Sequence, residues 1–448
     1  MRIDFLPIIL AAVGSYFLIR LRFFFILHPI KTARRGLRAI RDKRALRSFS
    51  LALAGTLGVG NVFGVAIGII IGGPGSLFWL FASMLFAMVI KFAEVVISSD
   101  NLFHDTDTHG GFFYVIRASS RRMGRHLSCL YALATLGLSL VMGASLQTGA
   151  IRESLLEVTD VPRGSLALVL AFLTLVAIIG GTGKIEKITA LIIPMTTIIY
   201  IFITLSVIIM NINGFSSVLK SVINSAFRTE SVLGGGVSFL TLAPIREGFA
   251  RGILSNEAGA GTSAIAHARS GVLSPATAGL LGIFEVWFDT GLICMLTGFS
   301  ILLSVPDLTP FSGGMELVMY AVGNQFGALG KYAVLFCVFA FAFATVICWY
   351  YYGSESFSQI FGKSKRAVFL PLFLVFVCLG CFIDSYFLVS LTDALMTLAT
   401  ALTLCALIKN SDRIVHLSEN GGVIDSDMGR LRTLRIKGTG SSRGRERR

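Results

Sequence analysis

Long apolar blocks, separated by short polar segments, run through almost the whole chain. Most of them match the length of about 20 residues that a helix needs to cross a bilayer. The pattern predicts an all-α membrane protein with about eleven transmembrane helices. They lie at roughly 4–27, 49–71, 76–98, 127–156, 165–181, 188–212, 237–267, 275–304, 329–361, 367–383 and 385–408.

The basic residues between these blocks are unevenly distributed. Alternate segments, from 28–48 to the tail 409–448, carry 28 Lys or Arg, whereas the remaining segments carry 3. Basic residues are enriched on the cytoplasmic side of membrane proteins. We therefore predict an N-terminus outside and a C-terminus in the cytoplasm. The basic, Gly- and Ser-containing tail is predicted to be disordered and to meet anionic lipid.

Composition narrows the class of protein further. Of 448 residues, 54% are hydrophobic and 14% are charged, against about a quarter charged in soluble domains. A soluble enzyme is therefore excluded. The net charge of +14 comes from basic residues between the apolar blocks, where they set the orientation of the spans. We therefore predict the lipid bilayer as a partner and no nucleic acid. The seven Cys lie in apolar stretches, which indicates packed thiols and not disulfides.

Two of the apolar blocks contain residues that interrupt a helix. Gly58, Gly60 and Asn61 lie in the middle of one block, and the run Ser255 to Gly261 interrupts another. Each Gly costs about 1 kcal/mol relative to Ala inside a helix. Unwound backbone at membrane depth is tolerated where it lines a cavity or contacts protein. The pattern therefore predicts two broken helices.

The breaks also indicate an internal repeat. Asn61 and Asn256 are 195 residues apart, and each break opens a set of five predicted spans. Because five is odd, the second set must be inverted in the membrane, an arrangement typical of secondary transporters. The predicted division is 1–48 (an extra transmembrane helix and a basic inner loop), 49–212 and 237–408 (the two repeats) and 409–448 (the tail).

Broken helices expose backbone groups that can bind solutes. Half-helix N-termini suit a carboxylate, and half-helix C-termini offer carbonyls to a cation. We expect the substrate carboxylate to dock around Gly58 and Gly60. Gln147, in the third span of the first repeat, is expected to bind substrate or unwound backbone; the alternative is an amide that only bridges helices. The candidate substrate-binding residues are Thr56, Gly58, Gly60, Asn61, Gln147, Ser255, Asn256 and Gly259.

At these positions the chain resembles the alanine or glycine:cation symporter family. The resemblance rests most on RGILSNEAGAGTSAIAHA (251–268), and then on ALAGTLGVGN (52–61) and GGPGSLFW (72–79). It implies a leucine-transporter-type fold with one extra N-terminal helix. It also implies uptake of small neutral amino acids, such as alanine or glycine in D or L form, with Na⁺. No organic cofactor is implied.

The resemblance also implies a cation site. The carbonyls near Ala54 and Leu57 and the hydroxyl of Thr345 would hold Na⁺ there. Thr345 has a simpler alternative, a hydrogen bond to the carbonyl four residues earlier. Ala344 stands where the family often has a hydroxyl, so H⁺ remains open as the coupling ion. Glu257 could then bind the cation or proton, or could cap its own loop.

Other charged residues in the spans are expected to be structural. Lys91 and Glu94 are three apart on one helix face and can pair. Glu285 and Asp289 are four apart, and we expect them to pair with Arg or with a backbone break. His267 ends a span and is expected at the inner surface.

The leading functional hypothesis is a symporter in the plasma membrane of a prokaryote. The alternatives are an integral-membrane enzyme or a channel built on the same helices. An enzyme needs a nucleophile–base or metal constellation at membrane depth, and the sequence offers no such spacing. The oligomeric state has no signal in the sequence.

Overall fold

The computed structural model describes residues 6–100, 111–227, 243–268 and 273–424, and within these ranges all regular structure is helical. This confirms the all-α prediction for the described part of the chain. The helices, numbered along the chain, are α1 Leu6–Arg20, α2 Phe24–Leu27, α3 Pro29–Ala39, α4 Lys43–Thr56, α5 Phe63–Gly72, α6 Gly75–Ser98, α7 Phe112–Ser119, α8 Gly124–Leu138, α9 Gln147–Leu156, α10 Arg163–Ile178, α11 Thr182–Met210, α12 Phe215–Phe227, α13 Ala243–Asn256, α14 Ser263–Ala268, α15 Pro275–Val286, α16 Met295–Ser304, α17 Gly314–Phe361, α18 Phe369–Leu379, α19 Ser385–Lys409 and α20 Ser411–Asn420. Short 3₁₀ turns occupy Val59–Asn61, Ile212–Gly214 and Lys363–Val368.

Several of these helices are long and apolar enough to cross a membrane. Six segments of the described chain qualify, and the bent pair α4 and α5 makes a seventh. The helices α1 and α10 are apolar but shorter. The six segments are Gly75–Ser98, Gly124–Leu156, Thr182–Met210, Pro275–Ser304, Gly314–Phe361 and Ser385–Lys409.

The first predicted break is present between α4 and α5. Helix α4 begins at Lys43 and is capped by Asp42, whose carboxylate accepts the N–H groups of Arg44 and Ala45. These bonds lower the pKa of Asp42 below its usual value. The helix ends at Thr56, Gly58 is extended (φ −116°, ψ −155°), and a 3₁₀ turn follows. The two halves meet at a bend of 57°.

The second predicted break lies between α13 and α14. The connecting segment contains three residues in the left-handed region, Glu257 (φ 54°), Gly259 (φ 92°) and Gly261 (φ 72°). Only Gly adopts this conformation without steric cost. A Cβ on Gly261 would also lie 2.7 Å from the hydroxyl of Tyr131. The glycines therefore let the chain unwind and pack closely.

Two other spans contain a π-helical turn. One joins α8 to α9 at Ser139–Leu146, and the other joins α15 to α16 at Trp287–Cys294. Such turns are rare and frequently occur at functional sites. The first turn ends just before Gln147. It packs closely against α17, since a Cβ added to Gly143 would lie only 2.2 Å from the Cβ of Trp349.

The structure corrects the prediction for segments expected to be loops. The predicted disorder of the tail is wrong for Ser411–Asn420, which forms α20. Arg413 of this helix pairs with Asp100, at 2.7 Å between Nε and Oδ2, and Ile414 is fully buried. These tertiary contacts stabilise a helix whose own sequence is polar. Residues 425–448 of the tail lie outside the described residues.

Three further segments between predicted spans also contain helix. Helix α12 occupies much of the segment 213–236. Helix α17 begins at Gly314, inside the segment 305–328, and is kinked at Gly327 (φ 59°, ψ −145°). The basic inner loop 28–48 contains α3 and the start of α4. Short amphipathic helices such as α3 and α12 lack the apolar length of a span, so the hydropathy pattern does not reveal them.

Candidate functional site

The two breaks contact each other. A Cβ on Gly60 would lie 3.4 Å from the carbonyl oxygen of Leu254 and 3.4 Å from Cα of Ser255. Asn61 Nδ2 donates to Ser255 Oγ at 3.1 Å. The first break and the end of α13 therefore form one site, although they are far apart in the sequence.

A small cavity lies beside this contact, and its free volume of about 10 Å³ leaves room for about one water molecule. Pockets for drug-sized ligands occupy about 300–1,000 Å³, so this cavity is far smaller than such a pocket. It brings together four of the predicted substrate-binding residues with Glu257. The cavity is lined by Gly55, Thr56, Gly58, Gly60, Met142, Leu146, Gln147, Leu254 and Glu257.

Gln147 bonds the unwound backbone of the first break. Its Oε1 accepts from the N–H of Val59 at 3.1 Å, and its Nε2 donates to the carbonyl of Met142 at 3.1 Å. The N–H of Gly58 donates to the carbonyl of Thr56 at 2.8 Å. Two N–H groups near the expected carboxylate position thus have partners within the protein, and Gln147 supplies one of them.

Thr345 lies at the centre of a cluster of oxygens at the end of α4. Its Oγ1 is 2.9 Å from the carbonyl oxygen of Ala54, 3.4 Å from that of Leu57 and 3.0 Å from that of Phe341. A hydroxyl carries one proton, so it can satisfy one of these carbonyls at a time. The Thr345 hydroxyl is therefore within reach of both sets of carbonyls that the sequence suggested, Phe341 in its own helix and Ala54 and Leu57 at the first break.

The remaining predicted substrate-binding residues lie away from the cavity wall. Asn256 Nδ2 donates to Thr290 Oγ1 at 3.0 Å, and its Oδ1 accepts from the N–H of Ala258 at 3.0 Å. Gly259 packs against Thr400, whose Cγ2 would lie 2.8 Å from an added Cβ. These contacts explain both residues as parts of the fold of the second break.

Glu257 combines the two roles that its sequence position suggested. One carboxylate oxygen accepts from Thr262 Oγ1 within the same loop. The other, Oε1, is buried and has no hydrogen-bond partner among the described residues, while the side chain lines the cavity. The residue thus caps its loop and also lines the cavity with a carboxylate of which one oxygen is unpaired among the described residues.

Asp289 is the main addition to the predicted site. It is fully buried, and Asn61 Nδ2 donates to its Oδ1 at 2.6 Å. Ser255 Oγ and Thr290 Oγ1 donate to its Oδ2, the latter at 2.8 Å. The available sequence signal was a carboxylate in an apolar span, one helical turn from Glu285. That spacing does not show that the residue faces both breaks.

The structure corrects the pairing predicted for Lys91. Its Nζ lies 3.3 Å from Oε1 of Glu285 and donates to Ser263 Oγ at 2.8 Å. Glu94 accepts instead from the N–H of Gly261 at 2.9 Å. Pairs at three-residue spacing are available within one helix, but here contacts between helices prevail.

His267 was expected at an interface and is buried, with 1% of its surface exposed. Its Nε2 lies 2.9 Å from Oε2 of Glu285. Helix α14 packs against α4 and α6, which removes the end of this short helix from solvent. His267, Glu285 and Lys91 thus form one buried cluster.

Comparison with known proteins identifies the family. The pattern of the sodium:alanine symporter family matches residues 1–420. The chain belongs to this family. The resemblance seen in the sequence motifs is therefore confirmed, and the family and its named members are transporters, not enzymes.

Two relatives illustrate the range of the match. The chain is 32% identical to the amino-acid carrier protein AlsT of Bacillus subtilis over 358 residues, which covers 79% of this chain and 75% of AlsT. It is 29% identical to the sodium/alanine symporter AgcS of Methanococcus maripaludis over 342 residues, covering 75% and 74% of the two chains. This family member is thus an integral membrane protein of a transport family known in prokaryotes.

Among solved structures, the chain is similar to a mutant of the manganese transporter of Eremococcus coleocola. The TM-score is 0.50 at 16% identity, and the match covers 80% of this chain and 75% of the transporter. At this level of identity the likeness concerns the fold alone.

Proposed function

We propose that this chain is a secondary active symporter that imports a small neutral amino acid with Na⁺ by alternating access. The substrate class is alanine or glycine, in D or L form. The observation that carries the proposal is the buried contact of the two broken helices, beside which lies a small cavity lined by residues of both. Broken helices that meet at a buried site are typical of transporters.

The proposed architecture has eleven spans in two inverted sets of five, after one extra helix. It supports alternating access, because each set contributes one broken helix to the cavity. The sets are 49–212 and 237–408, with 1–48 and 409–448 outside them. The proposed orientation has the N-terminus outside and the C-terminus in the cytoplasm, as the basic residues favour.

The proposed bilayer contacts include helix α3. This helix carries Lys31, Arg34 and Arg38, while Ile30 is 77% exposed. A basic helix with exposed apolar residues suits the headgroup region of a membrane. An anionic lipid surface is therefore a proposed partner.

The proposed substrate site uses the cavity wall. Thr56, Gly58, Gly60 and Gln147 would surround the amino acid, and Asn61 and Ser255 would hold the breaks together behind it. The substrate carboxylate would compete with Gln147 Oε1 for the N–H of Val59. Small wall residues keep the volume low, which favours a small side chain.

The proposed Na⁺ site is the oxygen cluster around Thr345. A hard cation takes oxygen ligands, and a half-helix C-terminus carries the negative end of the helix dipole. The carbonyls of Ala54 and Leu57 and the hydroxyl of Thr345 supply such ligands. Glu257, with one free oxygen at the cavity, is the candidate if the coupling ion is H⁺.

Uptake into proteoliposomes tests this function. Labelled alanine, glycine and serine enantiomers are presented with an imposed Na⁺ gradient, an imposed pH gradient, or neither. Accumulation against a concentration gradient, driven by Na⁺ alone, is expected. Equilibration without accumulation would indicate a channel, and accumulation driven by pH alone would reassign the coupling ion to H⁺.

Replacement of Thr345 tests the cation site. Thr345→Val keeps the shape and removes the oxygen, whereas Thr345→Ser keeps the oxygen. Removal of one of the few oxygen ligands should raise the half-maximal Na⁺ concentration of Thr345→Val about tenfold or more, which corresponds to about 1.4 kcal/mol. Thr345→Ser should stay near the wild type. An unchanged Na⁺ dependence in both variants would leave Thr345 as a packing residue.

A further inference from the structure

Helix α20 crosses between two groups of helices. In the first group, α5, α6, α13 and α15 pack on one another, and in the second, α8, α9 and α18 pack against α17. Helix α19 packs mainly against α7, α8 and the π-helical turn that follows α8, so it belongs with the second group. Helix α20 follows α19 directly after Asn410, but it lies on α6 and α15. It therefore joins the two groups at one end of the molecule.

The small cavity at the breaks lies between the same two groups. Leu254 and Glu257 contribute to its wall from the first group, and Met142 and Gln147 contribute from the second. In transporters with a site between two such bodies, access alternates as one body rocks against the other. An element that joins the bodies on one face therefore opposes opening of the cavity on that face.

The contacts of α20 with the first group are an ion pair and a close packing contact. Arg413 Nε lies 2.7 Å from Asp100 Oδ2, and Arg413 Nη2 lies 3.1 Å from Asp100 Oδ1. Asp100 lies just after α6, and such two-pronged pairs are the strongest form of Arg–carboxylate contact. A Cβ added to Gly421, just after α20, would lie 2.3 Å from the Cβ of Ala276 in α15. The start of α15 is thus held as firmly as the end of α6.

The helix also contacts the extra N-terminal helix and the second group. Arg22, just after α1, lies 3.2 Å from Glu419 in α20, and α1 itself packs on α6. At the junction of α19 and α20, Asn410 Nδ2 donates to Ser119 Oγ of α7 at 2.9 Å. Helix α7 packs on α8. One end of α20 is thus fixed to the second group, while its length is fixed to the first.

We propose that α20 is a latch that keeps the cavity closed to the cytoplasm, and that its ion pair between Arg413 and Asp100 breaks when the cavity opens to that side. This inference rests on the proposed function and its orientation, and it adds the element that controls the inner opening. Contacts present only in the closed state shift the population towards that state. Arg413 and Asp100 lie outside the cavity wall and outside the oxygen cluster around Thr345, so replacing them leaves the proposed ligands in place.

Two buried cysteines of α17 can report the opening. Cys348 is fully buried, and its Sγ lies 3.2 Å from the carbonyl oxygen of Leu51 in α4. Because α4 runs from the inner loop to the first break, this thiol lies between the cavity and the cytoplasm, and separation of α4 from α17 exposes it. Cys337, about three turns nearer the outer end of the same helix, is also fully buried. It reports a general loosening of the fold.

The test measures the rate at which N-ethylmaleimide alkylates each thiol. The full chain is reconstituted in lipid nanodiscs, and mass spectrometry of its peptides follows each cysteine separately. The variants are Arg413→Gln, Asp100→Asn and the double exchange of Arg413→Asp with Asp100→Arg, which restores an ion pair with reversed charges. The matched control is Glu355→Gln. It breaks a pair of 3.0 Å with Arg366, at the end of α17 and in the turn after it, within the second group alone.

We expect both single variants to speed alkylation of Cys348 about fivefold or more, which corresponds to a shift of about 1 kcal/mol between the closed and the inward-open state. The double exchange and Glu355→Gln should stay near the wild-type rate. Cys337 should react equally slowly in every protein, because the outer part of the molecule does not depend on the latch.

The other outcomes overturn the latch or separate it from the proposed function. A wild-type rate at Cys348 in both single variants would overturn it. A rise of equal size at Cys337 would mean that the ion pair only stabilises the fold, and would overturn it as well. If Asp100→Asn does not fold, Arg413→Gln tests the same pair from a helix at the surface. The expected changes at Cys348, in a protein that accumulates no amino acid, would contradict the proposed function alone.

Discussion

Gly58 has no room for a side chain, because the two proposed sites meet at its α-carbon. A Cβ there would lie 2.8 Å from Thr345 Oγ1 and 2.9 Å from Gln147 Oε1. We expect Gly58→Ala to displace both side chains, at a cost of about 1–3 kcal/mol for overpacking, and to abolish most uptake. In proteoliposomes, the uptake rate should fall and the half-maximal Na⁺ concentration of the residual uptake should rise.

Gly164→Ala provides the matched control for this substitution. No heavy atom lies within 4 Å of a Cβ added there, so folding and uptake should match the wild type. Wild-type uptake by Gly58→Ala, at equal amounts of protein in the membrane, would show that neither site depends on this close approach.

Gln147 can be tested for substrate contact by a change that preserves its bond to the first break. Gln147→Glu keeps an acceptor for the N–H of Val59 but loses the donor to the carbonyl of Met142. It also places a negative charge where the substrate carboxylate is proposed to bind. We expect KM for the amino acid to rise at least about tenfold, which corresponds to about 1.4 kcal/mol.

A KM near the wild-type value in Gln147→Glu would contradict this assignment. It would support an amide that only bridges the third span and the first break. Replacing Asn211, whose amide donates to the carbonyl of Val207 within its own helix, with Asp serves as the control for an amide-to-carboxylate change outside the site.

Individual residues differ in how well the sequence predicts them. Thr345 lies next to the carbonyls of Ala54 and Leu57, as the family resemblance implies. A resemblance to a family can indicate contacts between residues that are far apart in the sequence. Gly259 was grouped with the substrate-binding residues but packs on Thr400. A glycine in a break can serve a ligand or a neighbouring helix, and its sequence position does not distinguish the two.

At the scale of elements, the position of a helix break is easier to predict than the helix that faces a buried charge. Gly, Ser and Asn inside an apolar run locate the ends of α4 and α13, because local composition determines where a helix unwinds. Which helix faces a buried charge depends on tertiary packing. The pairing of α6 with α15 through Lys91 and Glu285 was therefore missed, since the sequence shows only neighbours on the same helix.

This inter-helix pair should contribute strongly to stability. Lys91 and Glu285 are both fully buried, and removal of one partner leaves an uncompensated charge. We expect Glu285→Gln to lower the free energy of unfolding by about 3–5 kcal/mol. The protein is heated in detergent, and size-exclusion chromatography then measures the fraction that remains folded at each temperature.

Glu355→Gln is the control for an ion pair of the same type. Glu355 lies 3.0 Å from Arg366, but both side chains are partly exposed, so the change should cost about 0–1 kcal/mol. Equal effects of the two substitutions would mean that the buried cluster of Lys91, Glu285 and His267 does not stabilise the packing of α6 against α15.

At the scale of the whole molecule, the topology depends on whether the broken helix of the second set crosses the membrane. Helices α13 and α14 are each too short and polar to count as a span by length and hydropathy. The proposed inverted repeat nevertheless requires them to cross together. If they did not, every later segment would change sides, and the uneven distribution of Lys and Arg would be lost.

Reporter fusions on either side of this broken helix decide the point. In the proposed topology Asn213 lies outside and Ser274, which caps α15, lies in the cytoplasm. Alkaline phosphatase folds only outside the cytoplasm, where its disulfides form. We expect an active enzyme when it is fused after Asn213 and an inactive one after Ser274, whereas green fluorescent protein as a second reporter marks the cytoplasmic position. Phosphatase activity at both positions would mean that α13 and α14 re-enter on one side, and the two five-span sets could not then be inverted copies.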